Sequence, residues 1–201
     1  MQAVSSPIAA RLKSKMYKIL YLHGFASCGE GNKSGVLGAY FGDENLLAPD
    51  LPYAPQEAIE TLSKLISFDR PSLLVGSSLG GYYATYLAEK FDIPAVLINP
   101  SCTPWETLAA HVGWQERFCD GERFEFKPVY LEQLKNFSVL PGRSKYLVLL
   151  QSEDEVLDYR VAKERYKDHK VVVEYGGNHR FENIHEYLSM IESFMKSQEN
   201  R

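Results

Sequence analysis

The order serine, aspartate, histidine in this chain supports acyl-transfer chemistry. Ser78 lies in Leu73-Leu74-Val75-Gly76-Ser77-Ser78-Leu79-Gly80-Gly81-Tyr82-Tyr83-Ala84, where an apolar run stops at a knot of small residues and a helical pattern follows. The knot reads G-x-S-x-G, the pattern of a strand that turns sharply into a helix with one serine at the tip. The tip backbone is strained and the helix leaves almost touching the strand, so glycine is needed two positions either side. A serine hydroxyl is a poor nucleophile until a base takes its proton. His179, in Gly176-Gly177-Asn178-His179, is the candidate base. A carboxylate must hold the imidazole's tautomer and stabilise its cation, and Asp154, in Ser152-Glu153-Asp154-Glu155, is the candidate acid. The tetrahedral oxyanion needs preorganised donors. The backbone N–H of Leu79, directly after the nucleophile, is one, and that of Phe25, in the turn His23-Gly24-Phe25, is the second.

Each position has rivals. Glu153, Glu155 and Asp158 lie close to Asp154, but Asp158 is better explained as a helix N-cap. His169 lies in a polar turn, His185 flanks the apolar face of the last helix and His111 sits in an aromatic-rich segment. His23 is read as structural, shaping the oxyanion turn, and Ser77, on the strand side of the elbow, is read the same way. Three features carry no separate chemistry. The histidines and acids show no metal-ligand spacing. Gly29-Glu30-Gly31-Asn32-Lys33-Ser34 only echoes a phosphate-binding loop. Cys28, Cys102 and Cys119 form no C-x-x-C pair and are odd in number, so reduced thiols are expected. No cofactor is implied.

The elements that must position these residues follow from periodicity. Apolar strands are expected at Lys18–Leu22, Asn45–Ala48, Leu73–Ser77, Ala95–Ile98, Tyr146–Leu150 and Val171–Tyr175. Helices are expected at Asn32–Phe41, Gln56–Phe68, Leu79–Phe91, Asp158–Tyr166 and Phe181–Phe194. Apolar runs without alternation mean strands covered on both faces, hence a mostly parallel six-stranded sheet with helices on both sides. In such sheets the site lies beyond the carboxyl ends of the strands. The candidate residues sit there, each just after its own strand. Residues 103–142 break the rhythm. They show no clean strand, some helix around Trp105–Val112 and Leu131–Phe137, and many aromatics. They read as a crossover plus an insertion, which is either packing under a long loop or a lid that accepts an apolar acyl chain.

A length of 201 residues suits one domain, expected over 16–201, with the acid-free stretch 1–15 as a disordered extension. That stretch lacks the apolar core of a secretory signal, although an organelle transit peptide would look similar. The net charge of −4 gives no reason to expect nucleic-acid or anionic-membrane binding, and no apolar run reaches the roughly 20 residues of a membrane span. A cytoplasmic protein is expected.

The motif set also resembles a family. His23-Gly24-Phe25-Ala26-Ser27, the block Val75 to Thr85, Asn99-Pro100, Asp154 to Arg160 and Gly176 to His179 are similar to the YqiA-type esterases, small bacterial α/β-hydrolases. The resemblance runs from about Met16 to near the C-terminus. It implies the α/β-hydrolase fold and a serine esterase for acyl esters, with acyl-CoA thioesters as a further class. It also implies nucleophile Ser78, acid Asp154 and base His179. Glu153 departs from the family, which usually has glycine there, and so puts an extra carboxylate beside the acid. The extension 1–15 is unlike the family, and the insertion matches it loosely. The expected activity is therefore hydrolysis of a small-molecule acyl ester through an acyl-enzyme. The alternatives are an acyl-CoA thioesterase on the same triad and an inactive hydrolase-fold binding module.

Overall fold

The computed structural model describes residues 19–199, so the expected extension over 1–15 lies outside the described residues. Eight strands follow one another: β1 (Ile19–Leu22), β2 (Leu46–Leu47), β3 (Leu73–Ser77), β4 (Ala95–Ile98), β5 (Gly113–Glu116), β6 (Arg123–Phe126), β7 (Tyr146–Gln151) and β8 (Lys170–Glu174). Six form one parallel sheet in the order β2-β1-β3-β4-β7-β8, and β5 and β6 pair as a separate antiparallel hairpin. The α-helices are α1 (Asn32–Phe41), α2 (Pro55–Asp69), α3 (Leu79–Phe91), α4 (Pro104–Thr107), α5 (Pro128–Lys135), α6 (Tyr159–Arg165) and α7 (Leu188–Glu199).

Alternate side chains of a strand point to opposite faces. Leu20, Leu22, Leu74, Leu97, Val148 and Leu150 meet α2, α3 and α6 in one core. Ile19, Tyr21, Val75, Val96, Leu147 and Leu149 meet α1 and α7 in the other. The four central strands are therefore apolar at nearly every position, as a doubly covered sheet requires.

The elbow between β3 and α3 needs its glycines. A Cβ on Gly76 would run into the carbonyl of Gly80, and a Cβ on Gly80 would run into those of Leu22 and His23. Ser78 stands between them at φ 54°, ψ −119°, a conformation that side-chain-bearing residues rarely adopt. Because β1 is hydrogen-bonded beside β3, the same close approach seats α3 on the end of β1.

Three sequence expectations need correction. The insertion contains a true hairpin, with Gly113 opposite Phe126 and Gln115 opposite Phe124. Its second strand, Arg-Phe-Glu-Phe, alternates: Phe124 and Phe126 are buried while Arg123 and Glu125 face out. Four residues of alternation are too few to stand out in an aromatic-rich stretch. The last α-helix begins at Leu188, preceded by a tight turn at Ile184–Tyr187, because Phe181 is held at φ 48°. The apolar face Phe181, Ile184, Leu188, Ile191 and Met195 is nonetheless buried as expected. Finally, Cys28 and Cys119 are bonded to each other, with Cα atoms 6.3 Å apart across 91 residues of sequence. Only the tertiary approach of the hairpin to the loop after β1 brings them together, so spacing carried no signal. Cys102 is free and buried.

Gly80→Ala is expected to lower unfolding free energy by about 3 kcal/mol in urea titration, because backbone cannot yield as a side chain can. An unchanged midpoint would show that the elbow tolerates a Cβ.

Candidate active site

The carboxyl ends of β1, β3, β7 and β8 bring together residues far apart in sequence. His179 Nε2 lies 3.0 Å from Ser78 Oγ, and His179 Nδ1 lies 2.8 Å from Asp154 Oδ2. With the Nδ1 proton donated to the carboxylate, Nε2 is left to accept the serine hydroxyl. The Asp154 side chain is only 2% exposed. Its other oxygen accepts the N–H groups of Val156 and Leu157 at 2.9 and 2.8 Å, which fixes the carboxylate's rotation.

The loop carrying His179 is gripped from beneath. Gly176 and Gly177 have φ 106° and 77°, and a Cβ on Gly177 would enter the Gln151 side chain. Buried Gln151 accepts the N–H of Asn178 at 2.9 Å and donates to Glu174 and Asn183, each at 2.7 Å. Buried Asn99 donates to the carbonyls of Asn178 (3.1 Å) and His179 (3.4 Å), and accepts the N–H of Gln151 at 2.9 Å. Asn99 sits at φ 39°, which asparagine tolerates better than most residues. Sequence reasoning noted the Asn99-Pro100 pair but missed this role. The available signal was a buried-strand terminus ending in an amide.

The acidic loop resolves differently from the expectation. Glu153 is exposed, and it is its main chain that donates to Gly176 O at 3.1 Å. The neighbouring carboxylate that engages the site is Glu155, which accepts the backbone N–H of His179 at 2.9 Å. That hydrogen bond holds the Glu155 carboxyl below its usual range. Asp158 caps α6 by accepting the N–H of Arg160.

On the opposite side of Ser78, the turn Gly24 to Ser27 closes through a Ser27 N–H bond to Gly24 O at 3.3 Å. A Cβ on Gly24 would lie 3.2 Å from Ser78 Cβ, so this backbone abuts the serine. Leu79 opens α3, and its N–H belongs to the first turn, whose amides have no partner within the helix. His23 is buried and bridges two loops. Its Nε2 accepts the N–H of Leu51 at 3.0 Å, which leaves Nδ1 as the donor to Gly24 O at 2.8 Å. Burial, the main cause, pushes its pKa below the ordinary histidine value. The Phe25 ring meets Phe126 edge-on at 5.0 Å and Phe124 at 5.8 Å.

Between this turn and α3 lies a cleft of about 30 Å³, lined by Phe25, Leu51, Tyr53, Leu79, Tyr83 and Phe124. The other histidines lie apart from the serine. His169 packs on the Tyr146 ring, His185 is exposed beside Glu186, and His111 packs on Phe25. Among the described residues one group, Cys28, Cys119 and Asp120, is close enough to hold a metal. Its sulfurs are bonded to each other and Asp120 is held by Arg117, which makes it a poor ligand set. Among the described residues no helix is long and apolar enough to cross a membrane.

The family model described as "Uncharacterised protein family (UPF0227)" matches residues 18–196. A UPF0227 protein of Citrobacter koseri is 31% identical over 185 residues, covering 88% of this chain and 97% of that protein. Among solved structures, mouse alpha/beta hydrolase domain-containing protein 10 superposes with a TM-score of 0.72 at 16% identity, covering 93% of this chain and 92% of the other. Est1E from Butyrivibrio proteoclasticus, solved with ferulic acid bound, gives 0.72 at 14% identity, covering 95% and 92%. The fold is thus that of the α/β-hydrolases, as the sequence led us to expect.

Two outcomes follow for the loops. Asn99→Ala, which frees the two carbonyls of the histidine loop, should slow fluorophosphonate labelling of Ser78 by roughly 10- to 100-fold. Labelling at the parent rate would show that Gln151 alone holds the loop. His23 contributes stability that is fully present above its unfolded pKa of about 6.5 and falls as pH drops toward its lower folded pKa. Thermal midpoints should therefore decline on the acid side of pH 6.5, and His23→Gln should flatten that decline. Parallel curves would exclude His23 as its source.

Proposed function

The chain belongs to the UPF0227 family and has the α/β-hydrolase fold, and on that premise we propose that it is a serine esterase for small acyl esters. The observation that carries the reading is the unbroken hydrogen-bond path from Ser78 Oγ through His179 to Asp154. His179 takes the serine proton as Oγ attacks the ester carbonyl. Negative charge develops on the carbonyl oxygen, and the N–H groups of Leu79 and Phe25 are its donors in this reading. Asp154 stabilises the imidazolium while the tetrahedral intermediate lasts. His179 then gives its proton to the departing alcohol and leaves an acyl group on Ser78. Water, deprotonated by the same imidazole, releases the acid by the reverse sequence. The cleft beside Leu79, with the Phe25, Tyr53, Tyr83 and Phe124 rings in its wall, offers apolar surface to the acyl group. The fold's occurrence in a solved structure holding ferulic acid supports carboxylic-ester chemistry. The expected cytoplasmic setting belongs to this proposal.

Ser78→Ala should lower hydrolysis of p-nitrophenyl acetate by at least about 10⁴-fold, with an unchanged circular-dichroism spectrum. Turnover that survives the substitution would overturn the assignment. Parallel rates on matched p-nitrophenyl and acyl-CoA substrates decide between ester and thioester.

A further inference from the structure

A stacked pair forms part of the wall of the cleft beside Leu79. Tyr53 and Phe124 lie face to face, with centroids 3.9 Å apart and planes within 4°. Tyr53 belongs to the loop after β2, but Phe124 arrives on the β5–β6 hairpin, which makes no strand pairing with the main sheet. Three links tie that hairpin to the loops around the serine. The Phe118 N–H donates to Ala26 O at 2.8 Å. The Arg117 guanidinium meets Asp50 at 3.1 Å. The third link is covalent: Cys28, directly beyond the turn that carries Phe25, is bonded to Cys119 in the hairpin turn. A hydrogen bond and a partly exposed ion pair each hold with about 1 kcal/mol or less, and the buried Phe124 and Phe126 rings hold more firmly but can slide, so the disulfide, the covalent link, is the one that bounds how far the hairpin can shift.

We propose that the Cys28–Cys119 pair is a redox strap that sets the acyl chain length the site accepts, by holding Phe124 against Tyr53 in the wall of the cleft. The proposal rests on the esterase reading of Ser78. A water molecule needs about 10–15 Å³ of such space, so about 30 Å³ has room for two or three non-hydrogen atoms of an acyl chain. In this proposal a longer chain makes room by lifting Phe124 off Tyr53, and the hairpin with it. The closed strap forbids this and the open strap permits it.

The chemistry is ordinary thiol–disulfide exchange. On closing, the Cys119 thiolate attacks a low-molecular-weight disulfide and expels one thiol. The Cys28 thiolate then displaces the second thiol and the internal bond forms. Two electrons and two protons pass from the protein to the small disulfide, which becomes two thiols. On opening, a dithiol attacks Cys119, frees Cys28 and closes into its own disulfide as it releases Cys119. Cys119 is exposed and Cys28 is 8% exposed, so Cys119 is the sulfur a small thiol can reach. In a reducing compartment, an accessible disulfide of this kind belongs to the regulated class.

The test compares protein oxidised with glutathione disulfide and protein reduced with dithiothreitol, each desalted before assay on p-nitrophenyl esters from acetate to octanoate. Reduction should raise the octanoate-to-acetate ratio of kcat/KM by roughly 10-fold. Cys119→Ser should show the reduced profile under both treatments. Phe124→Ala, which removes that part of the wall, should accept octanoate in both states. Identical profiles for oxidised, reduced and Cys119→Ser protein would overturn the proposal. So would peptide mapping that finds both thiols free after oxidation. Failure of the esterase reading looks different: no ester is turned over in either state and no fluorophosphonate adduct forms on Ser78. Hydrogen exchange over residues 113–126 then decides the strap alone. Faster exchange on reduction upholds it, and equal exchange overturns it.

Discussion

The whole site depends on how closely α3 approaches the strands beneath it. Glycine at 76 and 80 allows backbone to touch backbone there, and Ser78 takes up the resulting strain at φ 54°. A positive-φ serine persists only where its surroundings leave no alternative. The surroundings here are two separate apolar cores, one on each face of the sheet, both built from alternate residues of the same strands. The same contact aligns β1 under the start of α3, so the turn after β1, closed by Ser27 and buried His23, reaches Ser78.

The rest of the site is held by polar side chains. The loop carrying His179 runs from the end of β8 to the buried Phe181. It is fastened by buried Asn99 and Gln151, which bond to each other and to three main-chain groups of the loop. Glu155 holds the same loop from outside through the His179 N–H. Buried amides left unpaired are expensive, so this network either forms completely or leaves several groups unsatisfied together. It therefore acts as a single piece and gives the imidazole one position.

Much of this was legible in the sequence because it rests on local chemistry. The central strands were visible as apolar runs, and α3 as a helical period that starts at the elbow. The order Ser78, Asp154, His179, each after its own strand, pointed to the residues that the fold brings within hydrogen-bond reach. What escaped depends on contacts between distant segments. Asn99 and Gln151 look like the polar ends of strands until β4 and β7 are seen side by side. Glu153 drew attention as an unusual neighbour of the acid, yet chain direction after β7 turns Glu155 toward the histidine. The hairpin's four-residue alternation is too short to read, and the pairing of Cys28 with Cys119 exists only once that hairpin folds back over the first loop.

The edge-on packing of Phe25 against Phe124 and Phe126 has a consequence for how this scaffold can change over evolutionary time. Phe25, the proposed second oxyanion donor, leans on Phe124, the hairpin ring that also lines the cleft. On the esterase reading, a substitution at Phe124 therefore bears on the donor as well as on the wall. Drift at Phe124 is therefore expected to be followed by drift at Phe25, the ring packed against it. The β3–α3 elbow, built entirely from other contacts, stays as it is.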